Sequence, residues 1–180
     1  MSSHVEGSSS RQSAKAGARE RFERLCAPYR ADLFRFLLWL SRDRALAEDV
    51  MQDTLLRAWR SFDSLADAGA VRSWLLTIAR RELARVFERK RLPTIDLDAA
   101  IAANDGALAV PESHDVDDMR KAILELETTY REPLVMQVLL GLSTEEIAQQ
   151  LSISTPAVLT RLFRARELLR QRLIVREGRT

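Results

Sequence analysis

Residues 141–173 read GLSTEEIAQQLSISTPAVLTRLFRARELLRQRL, and the punctuation of this stretch decides the fold. Gly141 ends a helix that carries Leu134, Val135, Val138 and Leu139, because glycine accepts the left-handed conformation of a helix stop. Ser143-Thr144-Glu145-Glu146 is a capping box, with Ser143 as N-cap and Glu146 three residues on, and Leu142 and Ile147 stand where a hydrophobic staple forms. The helix so started is short and ends at Leu151. Ser152-Ile153-Ser154 makes a tight turn, and the next helix begins at Ser154 or Thr155, with Pro156 in its first turn, and runs to about Val175. Residues 143–164 therefore form a helix–turn–helix. Ala148 is small where two helices cross, and Ile147, Leu151, Ile153, Val158 and Leu162 form the wedge that fixes the crossing. The outer face of the second helix carries Thr155, Thr160, Arg161 and Arg164. From Ala157 to Thr180 there are seven Arg against two Glu. A helix presented in this way can enter a DNA major groove. The alternative is a helical hairpin with a solvated basic face.

Upstream, Phe22, Leu25, Cys26, Tyr29, Leu33, Phe36, Leu37 and Leu40 recur at three- and four-residue steps, the period of one helix face, which Pro28 should bend or split. A second helix follows Ser41-Arg42-Asp43-Arg44, with Ala47, Val50, Met51, Thr54, Leu55, Ala58, Trp59 and Phe62 as its apolar face. A loop around Asp63 to Gly69 precedes a third helix, about Ala70 to Arg91. That helix is basic: Arg72, Arg80, Arg81, Arg85, Arg89, Lys90 and Arg91 are set against Glu82 and Glu88, and Arg81, Arg85 and Arg89 line one side. Trp74 and Phe87 are interleaved; cations bind phosphates and aromatic rings stack on unpaired bases, although Trp74 taken alone reads as core. On the second helix Asp49, Gln52, Asp53 and Leu56 share the side opposite the apolar stripe. Such a side suits a basic protein partner, or is an ordinary solvated face.

The expected architecture is all-α: two small helical domains joined by an acidic linker, the second domain containing the helix–turn–helix. Residues 1–17 read as a flexible tail, 18–91 as the first domain, 92–116 as the linker and 117–176 as the second domain. From Leu92 to Asp118 there are seven acidic residues and no Lys or Arg. The net charge is only +2, so the charge is segregated along the chain rather than large. Cys26 is the single cysteine, which excludes an intramolecular disulfide and a cysteine zinc site; His4 and His114 lie far apart, so no metal site is expected. Neither phosphate-loop glycines nor a nucleophile–base set is present, so no catalytic residue and no cofactor are expected. No apolar run reaches membrane-spanning length and the N-terminus lacks a signal-peptide centre, so no direct membrane insertion is expected, and a reducing cytoplasm fits.

AEDVMQDTLLRAW (residues 47–59) followed by VRSWLLTIARRELARVFERKR (residues 71–91) resembles region two of the sigma-70 family, and residues 141–173 resemble region four. Two regions with an intervening linker in so short a chain resemble the extracytoplasmic-function (ECF) group. That resemblance implies a DNA-binding subunit of RNA polymerase rather than an enzyme. It implies that Asp49, Gln52, Asp53 and Leu56 dock on the core polymerase. It places Arg72, Trp74, Arg80, Arg81, Arg85 and Arg89 at the minus-ten promoter element, and Thr155, Ala157, Thr160, Arg161 and Arg164 at the minus-thirty-five element. It also implies an anti-sigma factor as a partner. The chain departs from the family where Arg81 and Arg85 replace the usual Asn and Asp, and where Ser152 replaces a usual Gly. Ser154-Thr155-Pro156-Ala157 likewise stands for Pro-x-Gly-Thr. The rival reading is a regulator that binds duplex DNA without polymerase.

Overall fold

A computed structural model describes residues 6–65, 67–91 and 114–177, and every regular element among them is helical. The first unit contains α1 (Glu6–Cys26), α2 (Arg30–Ser41), α3 (Arg44–Arg60) and α4 (Val71–Arg91). The second contains α5 (His114–Leu124), α6 (Thr128–Leu140), α7 (Thr144–Leu151) and α8 (Thr155–Glu177).

Pro28 splits the first apolar stripe as its fixed φ and missing N–H require: α1 stops at Cys26, a single 3-10 turn spans Ala27–Tyr29, and α2 restarts at Arg30. One expectation is corrected here. The tail read over 1–17 is helical from Glu6, because Arg11, Gln12, Ala14, Lys15 and Ala16 are good helix formers that let α1 extend upstream of its buried part. The linker lies outside the described residues as far as position 113, and α5 opens at His114.

The α3 start is fixed by Asp43, whose carboxylate accepts the Leu46 N–H at 3.0 Å. The capping box at α7 is complete: Ser143 Oγ accepts the Glu146 N–H at 3.2 Å, and Glu146 accepts the Ser143 N–H at 2.8 Å. The Ser143 N–H, and after it the Ser143 hydroxyl, hold the Glu146 carboxyl below the usual carboxylate range. Gly141 ends α6 at φ 59°, and the Leu142 N–H reaches back to the Met136 carbonyl at 3.3 Å. Ser152 ends α7 in the same left-handed conformation, at φ 54°, without glycine's freedom.

The buried residues of the two units adjoin. Leu37, Leu75, Leu76 and Val50 from the first unit and Leu126, Met136, Ile147 and Leu162 from the second belong to one continuous buried cluster. The helix that joins them is α2, which packs against α3 and α4 and also against α6. Leu33, Phe36, Leu37 and Leu40 form its expected stripe, yet Leu38 on the opposite side is buried as well. A helix apolar on more than one side is a buried helix, and FRFLLWL at residues 34–40 has that composition.

Candidate nucleic-acid interface

In α8 the buried side is Val158, Leu162, Ala165 and Leu169, at steps of three and four. Ile147 and Ala148 of α7 are buried against it, so the wedge seats the second helix with its other side outward. Thr160 and Arg164 are exposed there, and Thr155, Ala157 and Arg161 are half-buried. The Thr160 hydroxyl donates to the Pro156 carbonyl at 2.9 Å, which fixes its rotamer and turns a lone pair outward. Beside this polar row lies an apolar one that the sequence reading missed. Leu159 and Phe163 are exposed, as is Val138 of α6, and Arg166 ties α8 to α6 by donating to Gln137 at 2.7 Å.

In α3 the four expected docking residues form one ridge. Asp49, Gln52, Asp53 and Leu56 are all exposed, while Ala47, Val50, Met51, Thr54 and Ala58 turn inward. Leu56 is 54% exposed, an apolar side chain held in solvent next to two carboxylates. The ridge borders a groove between α1 and α3 lined by Phe22, Cys26, Gln52, Leu55, Leu56 and Trp59. Trp59, expected in the core, is 39% exposed at its rim, held edge-on to Phe22 with ring centroids 5.3 Å apart. The buried Phe62 ring stacks behind it, with ring centroids 6.4 Å apart.

The structure divides the six basic and aromatic candidates of α4 into different settings. Trp74, Arg81 and Arg85 share one side of the helix by their spacing. Trp74 is half-buried and packed on the core, whereas Arg81 and Arg89 are exposed. Arg85 donates to Glu82 at 2.8 Å, and Glu82, buried in α4, also receives Arg57 of α3 at 2.6 Å. Arg85 is thus part of the pairing that neutralises a buried carboxylate. Arg80 and Arg72 face the second unit. Arg80 pairs with Glu132 of α6 at 2.6 Å and also donates to the Gln150 backbone carbonyl at the end of α7. Arg72 lies close enough to Glu146 to favour its charged form.

Two further residues that no sequence pattern singled out fix the junction. Arg131 of α6 is only 4% exposed and is bonded to no carboxylate among the described residues; it donates to the carbonyls of Leu124 at 2.7 Å, Leu126 at 3.1 Å and Leu40 at 3.1 Å. The Leu124 and Leu40 oxygens lie at the C-terminal ends of α5 and α2, where helix dipoles are negative, and the Leu126 oxygen lies in the turn after α5. Burial, then the nearby Arg42 cation, lower the Arg131 pKa to about 10, so it stays charged at neutral pH. Arg42 reaches the Leu126 carbonyl from the other side, at 3.4 Å.

A charged ridge, a basic helix and a helix–turn–helix therefore coexist in one all-α chain. Sigma-70 region 2 matches residues 25–92 and Sigma-70 region 4 matches residues 117–169. The ECF RNA polymerase sigma factor SigM of Bacillus subtilis is 34% identical over 148 residues, covering 79% of this chain and 88% of its own. SigL of Mycobacterium tuberculosis H37Rv is 31% identical over 150 residues, covering 78% and 81%. This chain belongs to the sigma-70 family. Its relatives place it in the ECF group, and as a sigma factor it recognises promoters for RNA polymerase. The fold agrees: the sigma factor RpoE of Bartonella quintana, solved in complex with the anti-sigma factor NepR, superposes with a TM-score of 0.69 at 26% identity. That alignment covers 87% of this sigma factor and 98% of RpoE. No helix among the described residues of the sigma factor is long and apolar enough to cross a membrane.

Proposed function

We propose that this sigma factor divides its work among three surfaces, within the domain limits 18–91 and 117–176. The α3 ridge of Asp49, Gln52, Asp53 and Leu56 docks on core polymerase. The outward side of α4, with Arg81, Arg85 and Arg89 and with Trp74 at its start, meets the minus-ten element where the strands separate. Arg72 and Arg80 extend that surface once they are released from Glu146 and Glu132. The N-terminal half of α8, with Thr155, Ala157, Thr160, Arg161 and Arg164, reads the minus-thirty-five element as duplex. The protein works in the cytoplasm and by binding alone: strand opening is driven by capture of unstacked bases and by phosphate contacts, with no bond made or broken by the chain. An anti-sigma factor is a fitting partner, since RpoE is held by one in the complex with NepR.

The observation that carries this reading is the α3 ridge. An exposed leucine that continues a row of two exposed carboxylates, Asp49 and Asp53, is unsuited to polyanionic DNA and complements a basic protein surface. Asp53→Arg tests it. The side chain is exposed and off the core, so thermal stability should hold, while affinity for core polymerase and run-off transcription should both fall at least tenfold. Unchanged polymerase affinity in a folded variant would reject the docking role.

A further inference from the structure

The outward side of α8 is not uniformly polar. Leu159 is 53% exposed and Phe163 61%, one turn apart, on a helix whose inward stripe is already formed by Val158, Leu162, Ala165 and Leu169. At about 100° per residue the pair lies between arginines: Arg161 and Arg164 stand beyond Thr160 on one side, and Arg166 on the other. Arg166 is held at that edge by its bond to Gln137 of α6. Core packing does not account for the pair, because α7 seats the opposite side of the helix. Apolar residues scattered singly on a surface need no explanation, but here two lie in register beside the polar row of Thr160 and Arg164.

The surroundings identify what covers them. A basic rim attracts phosphate, and in a major groove the phosphates line both walls while base edges form the floor. That floor offers one apolar group, the C5-methyl of thymine; the distinguishing groups of the other three bases are hydrogen-bond donors and acceptors. An apolar side chain pressed on those polar edges would strip them of water and give nothing back. We infer that Leu159 and Phe163 select thymine in the minus-thirty-five element by packing on its methyl group, with the flanking arginines holding the helix in register. This rests on the reading that α8 enters the upstream duplex. The two residues are about 6 Å apart along the helix axis, four residues at roughly 1.5 Å each, which is close to two base steps of roughly 3.4 Å. The two methyls therefore belong to base pairs about two steps apart, on either strand.

The test uses holoenzyme, this chain with core polymerase, on promoter fragments whose upstream element is randomised. Wild type should enrich A·T pairs at two positions about two steps apart, and Leu159→Ala and Phe163→Ala should each lose the enrichment at one of them. Both side chains are exposed, so either variant should fold as the wild type does. On the enriched fragment, deoxyuridine in place of each thymine removes the methyl and nothing else. It should weaken wild-type binding about fourfold per methyl, the worth of one buried methyl group, and leave the matching alanine variant unaffected. Equal binding of wild type to thymine and deoxyuridine fragments overturns the methyl contact. So does a deoxyuridine response that both alanine variants retain. Alanine variants that keep the thymine preference but lose affinity for core polymerase would assign the pair to a protein partner instead. Arg164→Ala separates the contact from the reading beneath it. If Arg164→Ala weakens upstream binding while deoxyuridine is silent, α8 still reads the element and the methyl contact falls. If neither Arg164→Ala nor randomising the upstream element has any effect, the placement of α8 in the duplex falls and takes the contact with it.

Discussion

At the scale of single residues, two helix stops with the same backbone shape carry different side chains. Gly141 at φ 59° meets no atom within 4 Å of where a Cβ would stand, so its requirement is conformational rather than steric. Ser152 at φ 54° is exposed and adopts the same left-handed conformation with a Cβ. Ser152→Gly should therefore stabilise the protein by about 0.5–1 kcal/mol: the strain of an L-residue there is removed, and part of the gain is lost to the freer unfolded chain. Gly141→Ala should cost about 1 kcal/mol by the reverse argument. Thermal midpoints that move together, rather than in opposite directions, would show that this strain is absorbed elsewhere. The turn at Ser152 was visible in the sequence; that a serine would be held left-handed there was not, since the reading rested on turn composition alone.

Among the elements, α4 and α8 are both basic helices, yet they differ in what their arginines do. Arg164 is exposed and Arg161 half-buried on a helix whose opposite side is wedged into α7. Arg161→Ala should weaken closed-promoter binding and relax choice in the upstream element, by roughly 1–3 kcal/mol if a bidentate base contact is lost. Arg81 is exposed on α4, whereas Arg85 is tied to the buried Glu82, so Arg81→Ala is the cleaner probe of opening. It should leave most of the closed complex intact and reduce permanganate reactivity of unpaired thymines. Equal losses of closed binding in the two variants would end this division of labour. The helices themselves were legible because caps, proline and periodicity are local signals: the box at Ser143, the split at Pro28 and the stop at Gly141 all stand where the sequence puts them. The pairing of Glu82 with Arg57 was not legible, because a glutamate in a basic helix has the same spacing whether it is buried or solvated.

For the whole molecule, the decisive residues are separated by long stretches of chain. Arg131 reaches the Leu40 carbonyl across 91 positions, and Arg80 meets Glu132 across 52. No window of sequence can show such pairs, which is why the packing of the two domains against each other was not legible. Arg131→Ala should destabilise the protein by about 2–4 kcal/mol: three carbonyls lose a donor, at roughly 1–3 kcal/mol for a buried acceptor left unpaired, partly offset by relief of the cation's burial. Calorimetry should show one transition for the wild type and a lower midpoint for the variant. A midpoint unchanged within error would mean that water replaces the guanidinium at those oxygens without loss.

The two-sided burial of α2 also limits modularity. Sigma factors look like beads that could be exchanged, one promoter-reading half grafted onto another. Here a single helix lends side chains to the interiors of both halves, so its residues have had to suit two neighbours at once. A chimera that takes its second half from a relative would present α2 with an unfamiliar surface, and the mismatch would appear as stickiness and poor yield before it appeared as altered promoter choice. Exchange would succeed more readily if α2 travelled with the half it was selected to fit.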